Sequence, residues 1–221
     1  RYGGGAWDWP GEAKPGPGGS VEIRWPAAAG RPFELRAVYR WRGPAILDLE
    51  TSVTAEQPLT GFESFLACYF NEQFTNLAVL ATPPGESGKG AGFLPALKSY
   101  GDWLMFPRDS AMVPLMTDGR WKLPPNPVDW TFLPAFVKPI AVRRDAASGL
   151  AAVIMSPLED CFAIACPHQT EGHYSVYLSL FGRDVKAGET LRARARLAFA
   201  SAPSDQQVLK LYDDYVREIK R

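Results

Sequence analysis

The sequence lacks long apolar runs, an excess of either charge, and more than a few cysteines or histidines. No segment has about eighteen consecutive apolar residues, which argues against a membrane-spanning helix. The 24 basic and 24 acidic residues cancel, so we expect neither nucleic acid nor an acidic membrane as a partner. Three cysteines in 221 residues are an odd number, which argues against a disulfide framework but leaves room for one bridge. We therefore expect Cys68, Cys161 and Cys166 to be small buried side chains.

Proline, glycine and aromatic residues are plentiful. The 20 prolines, 20 glycines and 12% aromatic residues indicate short strands joined by irregular loops. From residue 82 prolines interrupt the pattern, which predicts long aromatic loops until strands resume at Phe136. Alternation of apolar and polar side chains, or a short apolar run, predicts strands over Val21–Trp25, Phe33–Arg42, Ala45–Ala55, Thr60–Phe70, Val137–Arg143, Ala151–Ser156, Cys161–Cys166, His173–Phe181 and Thr190–Ala200.

The two ends of the chain differ in their predicted structure. Residues 1–20 are rich in glycine and proline and are predicted to be a loop arm; the chain begins at Arg1 rather than methionine, so we expect further sequence upstream. Residues 204–220 are predicted to be a helix, with Ser204 as its N-cap and Gln207 completing a capping box. The predicted fold is all-β: a single antiparallel β-sandwich domain over residues 1–221, supersandwich or jelly-roll-like, with long aromatic loops and one C-terminal α-helix.

The strand from His173 to Phe181 marks the first candidate site. Alternation places His173, Ser175, Tyr177, Ser179 and Phe181 on one polar face, and Tyr174, Val176, Leu178 and Leu180 on a core face. His168 and Glu171 precede it in a turn, so three groups able to move protons lie within six positions. We predict His168, Glu171 and His173 as catalytic residues. The same three could instead hold a divalent metal ion, or each histidine could be structural; no other cofactor is expected.

Glu63 is the fourth catalytic candidate. It is the only charged residue in the predicted strand from Thr60 to Phe70, and it shares a face with Phe65, Ala67 and Tyr69. A carboxyl group among aromatic rings tends to have a raised pKa, which makes it usable as a general acid or base near neutrality. The simpler alternative is a solvated carboxylate near the start of the strand.

Aromatic residues interleaved with charges are candidate sugar contacts, because rings pack on the C–H faces of sugars while carboxylates bind hydroxyl groups. The alternative is that these rings bury area, by plugging the end of a sandwich or pinning a loop layer onto a sheet. The predicted substrate-binding residues are Trp7, Asp8, Trp9, Trp103, Arg108, Asp109, Trp130 and Tyr177.

A family resemblance adds to this picture. The short alternating strands, the tryptophan-rich loops and the segment His173-Tyr174-Ser175-Val176-Tyr177-Leu178 together resemble the galactose mutarotase-like β-sandwich group, which has a histidine-bearing strand near its sugar site. In that group a histidine protonates the ring oxygen and a glutamate takes the anomeric proton. The resemblance implies His173 as the acid and Glu63 or Glu171 as the base.

The predicted function is acid/base chemistry on a sugar or glycoside held in a cleft of the sandwich. Its ligand would be a small molecule or an oligosaccharide, and the reaction that of an epimerase or mutarotase-like isomerase, a lyase or a glycoside-processing enzyme. Two alternatives stand: a noncatalytic carbohydrate-binding or accessory module, and a structural module that forms an oligomer through its exposed arginine-bearing strands.

Overall fold

The computed structural model describes residues 5–83, 90–168 and 174–220, in which two β-sheets pack face to face. Apart from the parallel pair β8 and β9, neighbouring strands are antiparallel. The strands are β1 (Glu12–Pro15), β2 (Val21–Trp25), β3 (Phe33–Gly43), β4 (Ile46–Ala55), β5 (Leu59–Cys68), β6 (Asn76–Ala81), β7 (Gly92–Pro95), β8 (Trp103–Pro107), β9 (Thr131–Phe132), β10 (Phe136–Arg144), β11 (Leu150–Met155), β12 (Cys161–Pro167), β13 (Val176–Val185) and β14 (Thr190–Ser201).

The larger sheet has nine strands in the order β1-β2-β3-β4-β14-β11-β10-β6-β7. The predicted hairpin of β3 and β4 is confirmed: their register runs from Phe33 opposite Ala55 to Gly43 opposite Ile46. Charged side chains pair across this hairpin, as in the ion pair of Arg42 with Asp48. Alternation therefore predicted both the pairing and the polar face of these strands.

The smaller sheet has five strands in the order β5-β13-β12-β8-β9. Its inner face, with Leu104, Ile164 and Leu178 fully buried, packs against the inner face of the larger sheet, represented by Val53 and Val79. This apolar layer between two sheets is the main core, and it confirms the predicted all-β sandwich.

Helix α2 (Asp205–Ile219) lies on the outer face of the larger sheet, where Val208, Tyr212 and Tyr215 bury against β10 and β11. The predicted capping box is present: Ser204 Oγ accepts the Gln207 backbone N–H, and the Gln207 side chain accepts the Ser204 N–H. A shorter helix, α1 (Val113–Thr117), lies in the loop between β8 and β9. Among the described residues, no helix has both the length and the apolar character needed to cross a membrane.

Some strands were not predicted. β1 lies within residues 1–20, which the composition predicted to be loop; its four residues are all exposed, so alternation carried no signal there. Strands β6 to β9 lie in or beside the proline-rich region, and β7 and β9 have only four and two residues. Short strands of this kind depend on their neighbours rather than on their own pattern.

The predicted two-faced pattern of β13 holds only in part. Val176, Leu178 and Leu180 face the core as predicted. The opposite face is not an open polar surface, because Ser179 and Tyr177 are buried at 0% and 4% exposure. Phe181 does not share that face: it has a left-handed φ of 75° at an irregularity in the β13–β5 register, and its ring joins the inner core. The backbone irregularity ends the alternation at this residue.

Candidate acid/base site under a loop layer

Glu63 lies on the outer face of the smaller sheet, as the alternation in β5 predicted. It shares this face with Phe65 and Ala67, whereas the alternating Phe62 and Leu66 pack into the inner core. The outer face is covered by residues 110–130, here called the covering segment. Met116 on this segment is buried against the sheet, and the Glu63 side chain is 7% exposed. The simpler alternative of a solvated carboxylate is therefore wrong.

Arg120 of the covering segment is the cation beside Glu63. Its guanidinium nitrogen Nη1 lies 3.7 Å from Glu63 Oε2 and donates to the Gly61 carbonyl oxygen at 2.5 Å. Asp118 holds the same guanidinium from the other side, with Oδ2 2.7 Å from Nη2. Gly119, with a left-handed φ of 97°, makes the turn that lets Asp118 reach back to Arg120.

Burial raises the pKa of Glu63 to about 7. The Ser179 hydroxyl, the Arg120 guanidinium and the Trp121 indole each favour the ionised form, while Asp118 opposes it, and burial outweighs them together. A carboxyl group with this pKa exchanges a proton readily near neutrality, which is the property required of a general acid or base.

Aromatic rings form a layer around this carboxyl group. Phe65 stacks on Tyr177 with ring centroids 4.4 Å apart, and it contacts Trp121 at 4.7 Å and Trp130 at 6.4 Å. Trp103 meets Trp130 edge to face at 5.8 Å. These contacts pin a loop layer onto the sheet, and the predicted contact of Trp103, Trp130 and Tyr177 with a sugar stays a prediction.

Three buried polar atoms in this layer lack a partner with full hydrogen-bond geometry among the described residues. They are Glu63 Oε1, Ser179 Oγ and Trp130 Nε1. Ser179 and Trp121 lie near enough to the carboxyl group to affect its pKa without meeting that geometry at Oε1. Buried polar atoms are nearly always paired, so water or a hydroxylated ligand could bond here, accepting from the Trp130 indole N–H and donating to Glu63 Oε1.

His168 lies at the other end of the smaller sheet. Glu63 is opposite Phe181, whereas β12 reaches the level of Tyr177 at Ala165, three residues before His168. At about 3.3 Å per residue along a strand, Glu63 and His168 are on the order of 20 Å apart. The structure therefore does not bring these two predicted catalytic residues together. Glu171 and His173 lie outside the described residues.

The surroundings of His168 form a small cleft beside the buried Arg143. Arg143 donates to the backbone oxygens of Phe74 and Ser175. His168 Nδ1 is buried without a hydrogen-bond partner in the described part of the chain. Burial lowers the His168 pKa, and Lys98 and Arg143 lower it further. No group of three or more potential metal ligands occurs in residues 5–83, 90–168 and 174–220, and the predicted metal set includes two residues outside those ranges.

The N-terminal aromatic residues separate into two environments. Trp9 packs edge to face on Phe33 at 6.1 Å, with the Arg31 guanidinium 4.0 Å above its ring. Trp9 therefore packs against the main core, and its predicted contact with a sugar stays a prediction. Trp7 is 73% exposed, and Asp8 beside it is exposed as well.

Arg108 and Asp109 have local structural contacts. The Asp109 carboxylate accepts the Ala111 backbone N–H at the start of a 3-10 turn and pairs with Arg108 Nε at 3.0 Å. Arg108 also contacts the Met112 sulfur. These contacts hold the beginning of the covering segment against the sheet.

Sequence reasoning missed Asp118, Arg120 and Ser179 as members of the Glu63 site. The signal available was the run Asp118-Gly119-Arg120-Trp121, a turn with two opposite charges before an aromatic residue. Nothing in that run showed that it would fold back onto β5.

Comparisons with known proteins support the fold but not the chemistry. No protein-family model and no curated protein matches the sequence. A GalM/aldose epimerase homologue from C. elegans superposes with a TM-score of 0.52 and 11% identity, over 87% of this chain and 69% of that chain. The fold is therefore galactose mutarotase-like.

Two further solved structures are similar at lower scores. The α-N-acetylgalactosaminidase NagBb from Bifidobacterium bifidum has a TM-score of 0.49 and 12% identity, over 95% of this chain and 30% of that chain. A putative aldose 1-epimerase from Klebsiella pneumoniae has a TM-score of 0.40 and 9% identity, over 94% of this chain and 57% of that chain. This chain thus spans well under two thirds of the length of these two proteins.

Proposed function

We propose that this protein is a carbohydrate-active β-sandwich in which Glu63 moves a proton to or from a sugar. The observation that supports this proposal most is the buried Glu63 carboxyl group, with its pKa of about 7, in an aromatic layer that also holds Ser179 and Trp130. The galactose mutarotase-like fold favours a sugar as the ligand. Arg120 would hold the carboxyl group in position, and the rings would pack on the C–H face of the sugar.

The test is the interconversion of sugar anomers. We expect the protein to accelerate anomer exchange of at least one freshly dissolved aldose, followed by NMR or polarimetry against the spontaneous rate. Loss of a general acid or base typically costs about 10²- to 10⁴-fold in rate. Glu63→Gln should therefore lose most of the acceleration, whereas Glu56→Gln, an exposed change on the loop after β4, should keep it.

Two results would contradict the proposal. One is an acceleration of anomer exchange that Glu63→Gln leaves unchanged; the other is no acceleration of anomer exchange for any aldose tested and none of hydrolysis for any simple glycoside tested. If sugars bind but are not converted, the chain is instead a noncatalytic carbohydrate-binding module. One observation favours that second candidate: Trp7, beside Asp8, presents a largely exposed ring at the surface. In that case Trp7→Ala would weaken sugar binding and Glu63→Gln would not.

A further inference from the structure

The covering segment is a strap fixed to the smaller sheet at both ends. Just before it, the Arg108 backbone N–H donates to the Phe162 carbonyl at 2.8 Å, and just after it, the Leu133 N–H donates to the Met105 carbonyl at 2.8 Å. Between these points Arg120 bonds to the Gly61 carbonyl of β5. Trp121 and Trp130 pack on Phe65, which closes the face.

Glu63 lies beneath the middle of this strap, facing charged and titratable groups from several elements. Arg120 and Asp118 face it from the covering segment itself. The Cys161 thiol of β12 lies close enough to Glu63 to interact with its charge. Burial raises the pKa of this thiol, so the thiol stays neutral. The Asp184 carboxylate of β13 accepts the N–H of Gly61, two residues before Glu63.

An ionised Glu63 is poorly compensated in this closed arrangement. Its side chain is 7% exposed, its ion pair with Arg120 is long at 3.7 Å, and Oε1 lacks a well-formed hydrogen bond among the described residues. Arg120 is also shared with Asp118. Moving the strap away would let water hydrate the carboxylate and remove the cost of burying it.

We propose that the covering segment is a lid on the outer face of the smaller sheet, closed while Glu63 is protonated and opened by its ionisation. Opening would uncover Tyr177, Ser179 and Phe65. The proposal concerns access to the site of the proposed function. Its test uses no sugar, so either proposal can fail while the other stands.

The pH dependence of lid opening follows from the difference in the Glu63 pKa between the closed and open forms. The pKa of Glu63 is about 7 when the lid is closed, and a hydrated carboxyl group in the open form would titrate near the ordinary value of about 4.3 to 4.5. The open form then binds fewer protons, so the opening equilibrium constant rises with pH until Glu63 is ionised in both forms. Between pH 5 and pH 8 the expected increase is about 70-fold.

Hydrogen exchange, corrected for the intrinsic pH dependence of the exchange rate, measures this opening constant. Good reporters are the N–H groups of Lys122 and Val128, which bond to carbonyl oxygens within the covering segment. The reference is the N–H of Val208 in α2, bonded to the Ser204 carbonyl. We expect corrected protection at the reporters to fall by about 70-fold from pH 5 to pH 8, while the reference changes little.

Two variants distinguish opening of the lid by Glu63 from a pH-dependent loss of stability in the whole protein. Glu63→Gln cannot ionise, so its covering segment should stay protected at both pH values. Arg120→Gln removes the central anchor but keeps Glu63, so protection should be lower at pH 5 and still fall toward pH 8. Glu56→Gln, an exposed change on the loop after β4, should behave as wild type. Protection in the wild type that is equal at pH 5 and pH 8, or a pH dependence that survives in Glu63→Gln, would overturn the proposal.

Discussion

At the scale of single residues, Glu63 shows how burial and ion pairing oppose each other. Arg120 attracts the carboxylate, yet desolvation has the larger effect and raises the pKa to about 7. The folded protein therefore binds more protons at Glu63 than the unfolded chain does between about pH 4.5 and pH 7. This contribution to stability is fully present below about pH 4.5 and is lost as the pH rises through 7.

We expect Glu63→Gln to remove this part of the pH dependence of stability. A shift from 4.5 to about 7 corresponds to about 2.5 kcal/mol lost from the wild type between pH 5 and pH 8, and opening of the lid would limit the loss. Urea unfolding at the two pH values measures it. Glu56→Gln is the matched control and should retain the wild-type dependence; a variant at position 63 that loses as much stability as wild type would refute the assignment.

At the scale of elements, helix α2 depends on its first turn and on its contact with the larger sheet. The capping box satisfies two backbone N–H groups. Arg196 of β14 joins Glu218 on the helix to Asp48 on β4, with distances of 2.7 Å and 2.6 Å, and its guanidinium lies 4.5 Å from the Tyr215 ring centroid. The cap thus stabilises the start of the helix, and the ion pairs tie its last turn to the sheet.

Ser204→Ala should destabilise the protein by about 1 kcal/mol, because the N-cap hydroxyl that accepts the Gln207 N–H is lost. Thermal unfolding followed by circular dichroism is a sufficient measurement. Gln206→Ala, an exposed change in the same turn, should be close to neutral. Equal effects of the two changes would mean that the cap contributes nothing of its own.

At the scale of the whole molecule, β11 joins two apolar layers. Ile154 faces the core between the sheets, and Met155 faces the layer under α2; both are buried. We propose that the two layers belong to one domain and unfold together.

Ile154→Ala and Met155→Ala test this. Each should cost about 2 to 5 kcal/mol, the usual range for such truncations of buried side chains. In both variants, tryptophan fluorescence and circular dichroism should give coincident unfolding midpoints. If Met155→Ala instead releases the helix in a separate, earlier transition, the helix and the sandwich are independent units.

The sequence predicted most of the fold because alternation is a local property. The strands carrying it, such as β3, β4 and β14, were predicted to within a few residues, and Ser204 with Gln207 predicted the start of α2. Strand order was beyond reach, since β4 pairs with β14 across more than one hundred residues. Of the residues around the candidate site, the sequence singled out Glu63, Tyr177 and Trp130. It did not single out Arg120, because Arg120 reaches β5 through a long loop without periodicity.

The left-handed backbone at Phe181 determines what stands beside Glu63. The two residues are direct cross-strand partners, so regular alternation would have set a phenylalanine ring against the carboxyl group. Phe181 instead turns inward to meet Phe62 at 5.5 Å, and the Arg120 guanidinium lies 3.7 Å from the carboxylate. One residue with an unusual φ thereby keeps an apolar ring away from the carboxyl group across the strand.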